Sequence, residues 1–323
     1  MRMSGRLRFR PLVARAFLFA VAASMASVTV LAHVHTPSPG AGYPNSRSAR
    51  AAEPLLFHVH GLAYSPDGKS LLVPAHTGLA AFRDDGWSEV NGPIHDFAGF
   101  SLAERAIYAS GHPPSGSTLP NPLGLVKSTD LGKSWVSLAL GGEADFHFLA
   151  VGYRSNAIYV RSTEANSAMP VPGLHLSVDD GKTWRRQIAR GLEGDVFGIA
   201  AHPQDARTLA VATDKGLYLS RDAGETFKRF DDRQAVTAVV FELDGRNVRF
   251  ARAVRRELVS AALDSRSRTV ILLPPIGLDY VTHIAQSPAD QRLFAIATDR
   301  RHVFVTKDVG KAWRQIAKDG DLP

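Results

Sequence analysis

The chain contains no cysteine, which excludes any disulfide and any lipid-modified cysteine. The fold must therefore be stabilised by its core. Acidic residues are missing from the first 32 positions, where Arg2, Arg6, Arg8, Arg10 and Arg15 lie. Those five account for most of the formal net charge of +7, and what remains is close to neutral with both signs interspersed. Such a surface lacks the basic footprint needed to track phosphates, so no nucleic-acid partner is expected. Beyond residue 32 there is no long apolar run and no sustained 3.6-residue period, which argues against membrane spans and helical repeats.

What the first 54 residues do carry is an export pattern. A basic start precedes the apolar run Ala16 to Ala32, with small residues suited to cleavage after Ala26 or Ala32. This reads as a signal peptide over 1–32 and a periplasmic or secreted destination. Only an uncleaved form would attach the chain to a membrane. Residues 33–54, rich in Pro, Ser, Gly and Ala, read as a flexible linker. Cleavage after Ala32 would leave His33 at the amino terminus, two residues before His35, a pair able to chelate copper.

From residue 55 to 318 the sequence repeats. Ser128–Trp135, Ser177–Trp184, Ser220–Phe227 and Thr306–Trp313 share the pattern Ser/Thr-x-Asp-x-Gly-x-x-aromatic. Asp130, Asp179, Asp222 and Asp308 are spaced by 49, 43 and 86 residues. The last interval is a doubled unit, and an eroded copy near Asp264 fills it. A degenerate copy at Arg83–Trp87 precedes the first, giving six units. Each unit reads as four short strands joined by tight turns, the signature of a propeller blade. In the fourth unit the strands are expected at Val196–Ala201, Thr208–Thr213, Gly216–Ser220 and Thr226–Phe230. In the repeated turn Gly supplies a positive φ, Ser and Asp supply local hydrogen bonds, and the aromatic packs between blades. Asp130, Asp179, Asp222 and Asp308 are accordingly structural.

At these residues the chain resembles the BNR or Asp-box repeat of sialidases and sortilin-type receptors. The stretches His58–Ala63, Ala109–Pro113, Pro120–Gly124 and Glu143–His147 are more narrowly similar to a bacterial exported branch that carries the label glycosylhydrolase. The resemblance implies an all-β, six-bladed propeller of four-stranded antiparallel blades with Asp-box hairpins. Sialidase chemistry itself does not carry over. No arginine occupies the inner-strand columns where a three-arginine carboxylate clamp would sit, and Tyr280 has no glutamate to activate it.

Aligned inner strands place His58, Asp96, Asp145, Asp195, Ala235 and Tyr280 in one column, and His60, Ala98, His147, Phe197, Thr237 and Thr282 in another. Residues two apart in a strand share a face, so both columns should point to one mouth of the central channel. His76, His112, Asp214 and Asp299, at the ends of second strands, should reach the same rim. Two insertions, 113–123 and 163–172, should project above it. Three kinds of chemistry fit. His58, His60, His147 and Asp145 suit a divalent transition metal. His58, His60, His76, His112 and His147 suit a bound glycan, small ligand or protein. Asp96, Asp145 and Asp195 suit acid–base hydrolysis of a glycosidic bond. The same aspartates could instead cap exposed backbone N–H groups. His175, His202 and His302 are expected to be solvated, and the protein to be a monomer.

Overall fold

The computed structural model describes residues 56–322 apart from Phe57, Thr77, Asp85, Asn91 and Asp232. The expected signal peptide and linker lie outside the described residues. Six four-stranded antiparallel sheets follow one another along the chain. The first is β1 (Ala63–Tyr64), β2 (Ser70–Ala75), β3 (Gly78–Arg83) and β4 (Gly86–Glu89). Next come β5 (Asp96–Ala103), β6 (Ala106–His112), β7 (Leu125–Ser128) and β8 (Val136–Ala139), then β9 (Leu149–Val151), β10 (Ile158–Ser162), β11 (Gly173–Ser177) and β12 (Arg185–Arg186). The fourth sheet is β13 (Val196–Ala201), β14 (Leu209–Thr213), β15 (Gly216–Ser220) and β16 (Lys228–Arg229). The fifth is β17 (Val236–Phe241), β18 (Asn247–Arg252), β19 (Glu257–Ala262) and β20 (Arg268–Ile271), and the sixth β21 (Val281–Gln286), β22 (Phe294–Thr298), β23 (Val303–Thr306) and β24 (Arg314–Ala317). The six-bladed, all-β architecture expected from the repeats is what the chain adopts. In the fourth blade the outermost strand is shorter than expected, because Thr226 is tied into the preceding turn.

Burial grades across each blade and explains the residue choice. Second strands such as β2 (SLLVPA), β14 (LAVAT) and β22 (FAIAT) are buried on both faces between neighbouring blades. That demands continuous apolar runs, not alternation. Outer strands such as β12 (Arg185–Arg186) are exposed. Apolar clusters fill every inter-blade gap, including the last. Leu56, Tyr64 and Val73 of blade one pack with Ala297, Val305 and Ile316 of blade six. The ring is latched there by Leu56 N–H to the Gly320 carbonyl (2.9 Å) and Trp87 Nε1–H to the Ile316 carbonyl (2.7 Å).

The repeated turns serve this closure. In three of them the Ser hydroxyl donates to the Asp and accepts the Gly amide, while both Asp oxygens take the backbone N–H and hydroxyl of the residue before the aromatic. These hydrogen bonds hold the carboxyls of Asp130, Asp179 and Asp222 down at about 2. In the turn at Thr306–Trp313 the Thr306 hydroxyl takes the place of the Ser, and Ala312 gives Asp308 its backbone N–H but has no hydroxyl to add. The aromatic then reaches back to the preceding blade. Trp135 packs with the cluster of Leu72 and Leu79, Trp184 with the cluster of Leu125 and Phe146, and Trp313 donates to the Leu272 carbonyl. Blade five lacks both box and aromatic. There Arg268 donates to the Phe230 carbonyl and the Arg266 guanidinium lies over the Phe230 ring, so two arginines bridge back instead.

The turn also contains a strain that the glycine alone does not reveal. The residue before each glycine is left-handed too: Leu131, Asp180, Ala223 and Val309 have φ of 61°, 60°, 67° and 61°. A β-branched side chain is costly in that region, by about 1–2 kcal/mol. Val309 is 41% exposed, so little packing would be lost on replacing it. Val309→Asn should therefore stabilise the propeller by about 1 kcal/mol, roughly 2–4 °C in Tm for a domain this size. Thermal unfolding followed by calorimetry checks it, and an unchanged or lower Tm would show that the strain is not relieved.

Candidate functional site

In an antiparallel meander the start of the first strand and the end of the second lie at the same end of the blade. That geometry carries the polar residues to one mouth of the central channel. His58 and His60 sit in the segment entering β1, His76 follows β2, Asp96 opens β5, His112 ends β6, and Asp145 and His147 sit in the segment entering β9. The histidines and carboxylates meet by one rule used twice. A histidine at the end of a second strand reaches across to the aspartate that opens the next blade: His76 Nδ1 lies 2.6 Å from Asp96 Oδ2, and His112 Nε2 lies 3.2 Å from Asp145 Oδ2.

Two groups result. In the first, His58, His60 and His76 each bring one ring nitrogen within 4.8 Å of the others'. Their ring centroids are 4.6, 5.0 and 5.7 Å apart. His60 Nε2 is buried, 4.0 Å from Asp96 Oδ1, and has no hydrogen-bond partner. Burial and the charge of His76 push His60 down to about 4, with Asp96 opposing. His58 is lowered by burial, His76 and Arg301. In the second group Asp145 Oδ2 takes His147 Nε2 at 2.8 Å as well as His112. Asp145 Oδ1 is buried without a partner. Burial pushes the Asp145 carboxyl up, but the hydrogen bonds and charges of His147 and His112 outweigh it and hold the carboxyl below its usual range. The hydrogen bond to Asp145 raises His147, against burial. The groups are neighbours: Asp96 acts electrostatically on His147, and His147 on His60.

This arrangement redraws the expected metal set. His58 and His60 are joined by His76 and not by His147 and Asp145. The reason is connectivity. The His60 amide donates to the Pro74 carbonyl (3.2 Å), so the turn after β2 lies beside the entry to β1, whereas Asp145 belongs to blade three. Asp195 stands outside both groups. Its backbone N–H is capped by Asp214 Oδ1 (2.8 Å), just as Asp299 Oδ1 caps Tyr280 (3.0 Å). The capping aspartates are thus Asp214 and Asp299, which follow the second strands of blades four and six, and not the inner-strand aspartates expected to cap; blades one and two carry histidine at that position. The three histidines expected to be solvated are bonded. His175 is buried on β11 with Nδ1 3.1 Å from the Gly173 carbonyl. His202 links Gly245 to the amides of Gln204 and Asp205, and His302 Nε2 faces Asp279 at 3.4 Å.

The first insertion reaches the mouth, and the second packs beside it. Asn121 in the first meets His112 Nδ1 through its side-chain amide (2.6 Å). Ser167 in the second binds Glu143 through its amide and hydroxyl (2.8 and 2.9 Å), two residues before Asp145. Below the mouth runs a cavity of about 240 Å³ lined by inner-strand residues of all six blades, among them His60, Phe100, His147, Phe197, Val239 and His283. His283 is the residue that strand alternation missed. Inner strands β5, β13, β17 and β21 each carry a β-bulge, the last between Val281 and His283. A bulge inserts a residue and breaks the two-residue period. Both Thr282 and His283 therefore line the channel.

No family model matches the chain. A xyloglucanase of Hypocrea jecorina (strain QM6a) is 43% identical over 54 residues, which is 17% of this chain and 6% of that protein. Among solved structures, the GH74 enzyme of Niastella koreensis superposes with a TM-score of 0.56 at 16% identity, over 82% of this chain and 46% of that one. The structure of a nidogen/laminin complex gives 0.57 at 11% identity, over 77% of this chain and 92% of the other. At these identities the likeness establishes the propeller fold alone. The chain spans less than half of the GH74 enzyme it matches.

Burial, reinforced by the charge of His60, drives His283 down to about 4 from 6.5. The unfolded chain therefore takes up a proton near pH 6.5 that the folded protein refuses until about pH 4. Stability is lost as pH falls through that window. Relative to wild type, His283→Phe should gain about 2 kcal/mol between pH 7 and pH 4.5. Urea unfolding at the two pH values measures this. A stability difference independent of pH would show that His283 does not titrate in the channel.

Proposed function

We propose that this chain is an extracytoplasmic binding propeller that takes a small polar ligand, a sugar or the sugar end of a glycan, at the His/Asp-lined mouth of its central channel. One observation carries the reading. His60 Nε2 and Asp145 Oδ1 are both buried and both without a partner, in two groups drawn from three blades. Leaving such atoms unsatisfied costs about 1–3 kcal/mol each, a cost that a hydroxyl-bearing ligand would offset by donating to one and accepting from or donating to the other. Phe197, 43% exposed on the channel wall, offers a sugar ring an apolar face. The cavity of about 240 Å³ falls below the roughly 300–1,000 Å³ of pockets for drug-sized ligands. It suits one small group, with any longer chain lying outside the mouth. Export is supported by the basic-apolar leader of the sequence, and the short match to a xyloglucanase favours a glucan among possible ligands.

That match also supports a second reading, hydrolysis of a glycosidic bond with Asp96, Asp145 or Asp195. The electrostatics restrict it. A general acid needs a carboxyl held protonated, and Asp145 is held the other way. It would serve as base or nucleophile, with His147, raised by Asp145, as the proton donor. Asp195 caps no part of this network.

Isothermal titration of the full chain with glucose, xylose and xyloglucan oligosaccharides tests both readings. Binding should be saturable, and Asp145→Asn and His147→Ala should each weaken it about 10–100-fold, the loss of one charge-assisted hydrogen bond. Affinity unchanged in both variants would place the ligand elsewhere. Release of reducing ends, abolished by Asp145→Asn, would replace binding by hydrolysis.

A further inference from the structure

We infer that the first group at the mouth is a metal site, in which His58, His60 and His76 hold one divalent transition-metal ion, with copper(II) bound more tightly than zinc. The inference rests on the reading of this mouth as a binding site: the ion takes His60 Nε2, a sugar hydroxyl then meets the ion and not that nitrogen, and Asp145 Oδ1 remains for the sugar.

The donor set decides the class of ion. Three imidazoles beside one carboxylate, in a chain without thiols, suit Zn, Ni or Cu(II), whereas Ca and Mg ask for oxygen. Copper heads the Irving–Williams order at such a site. The spacing is within reach. An ion about 2 Å from each nitrogen sets neighbouring ligands roughly 2.8 Å apart in a tetragonal site and roughly 3.3 Å apart in a tetrahedral one, and the three nitrogens already lie within 4.8 Å of one another. Small side-chain rotations close that difference. His76 stands nearly perpendicular to both other rings, at 76° and 78°.

The surroundings fit as well. A ligating histidine ordinarily gives its other N–H to a carboxylate, which fixes ring and tautomer. His76 Nδ1 meets Asp96 at 2.6 Å, and this leaves Nε2 to offer. His60 Nε2 is buried with no partner, a state rare in folded proteins unless something fills it. A packing role explains less. His58 and His76 are exposed, so their rings contribute little to the core, and any aromatic would serve as well. All three ligands come from blade one and its lead-in, so a single hairpin assembles the site and the neighbouring blade supplies the orienting carboxylate.

Full-length protein stripped with EDTA and dialysed is titrated with Cu(II) and Zn(II) by calorimetry, and the copper form is examined by electron paramagnetic resonance. One ion per chain, hyperfine structure from three nitrogens, and tighter binding of copper support the site. His60→Ala and His76→Ala should each lower affinity at least 100-fold, and Asp96→Asn about 10–100-fold. The spectrum of the unmutated protein is decisive even if a variant folds poorly. No binding tighter than millimolar overturns the inference. So does binding that survives His60→Ala and disappears when His33 and His35 are both replaced by Ala. The same stripped preparation is titrated with xyloglucan oligosaccharide. If sugar binds and neither metal does, the metal site alone is overturned; if metal binds and sugar does not, the proposed ligand alone is overturned.

Discussion

A propeller is stable only if its last blade packs on its first, because each blade buries its two faces against neighbours and has no other core. Here that constraint is met by apolar clusters in every gap and by a repeated device, an aromatic side chain that leaves its turn and reaches the preceding blade. Trp87 does this across the closing seam, where its indole N–H takes the Ile316 carbonyl. The Ser–Asp–Gly turns aim these aromatics, and they do so at the expense of left-handed residues such as Val309. Where the device has eroded, in blade five, two arginines on Phe230 take its place. With no disulfide available, this interlocking is what holds the ring.

Closure creates the site. Residues separated by as much as 89 positions, His58 to His147, reach one mouth because each blade repeats the same path. A histidine ending one blade's second strand meets the aspartate opening the next blade's first strand, and the pairing is made twice in succession. The ion pairs of His76 with Asp96 and of His112 and His147 with Asp145 hold these side chains together at the mouth. Two of the buried polar atoms without partners, His60 Nε2 and Asp145 Oδ1, lie in these groups, beside the histidines that follow β2 and end β6, where blades four and six carry a capping aspartate. That asymmetry separates blades one to three, where histidine meets carboxylate at the rim, from blades four and six, where aspartate caps backbone.

The fold was legible because its signal is repetitive. Four copies of a turn pattern at blade-length intervals locate the hairpins, and antiparallel meander topology then predicts which strand ends share a rim. The convergence of His58, His60, His76, Asp96, His112, Asp145 and His147 followed from that topology alone. Pairings inside the rim were less accessible. Periodicity says which residues share a face but not which neighbour each touches, so it groups His147 with His58 and His60 where the hairpin contact at Pro74 brings in His76. Asp195 looked equivalent to Asp96 and Asp145 by column, yet the residue opposite it is an aspartate that caps its amide. His283 was hidden by a bulge, which no alternation pattern encodes. His175, His202 and His302 look solvated in sequence because a local bond from an isolated polar residue to nearby backbone leaves no pattern there.

Blade one should hold a single metal ion on His58, His60 and His76, at the mouth it shares with Asp145 and His147. A crystal of the full chain soaked in copper(II), with diffraction recorded on both sides of the copper edge, tests it directly. The account predicts a single strong anomalous peak at bonding distance from ring nitrogens of His58, His60 and His76, at the channel end that also carries Asp145 and His147. A map with no peak there, or with its strongest peak elsewhere on the propeller, would contradict it.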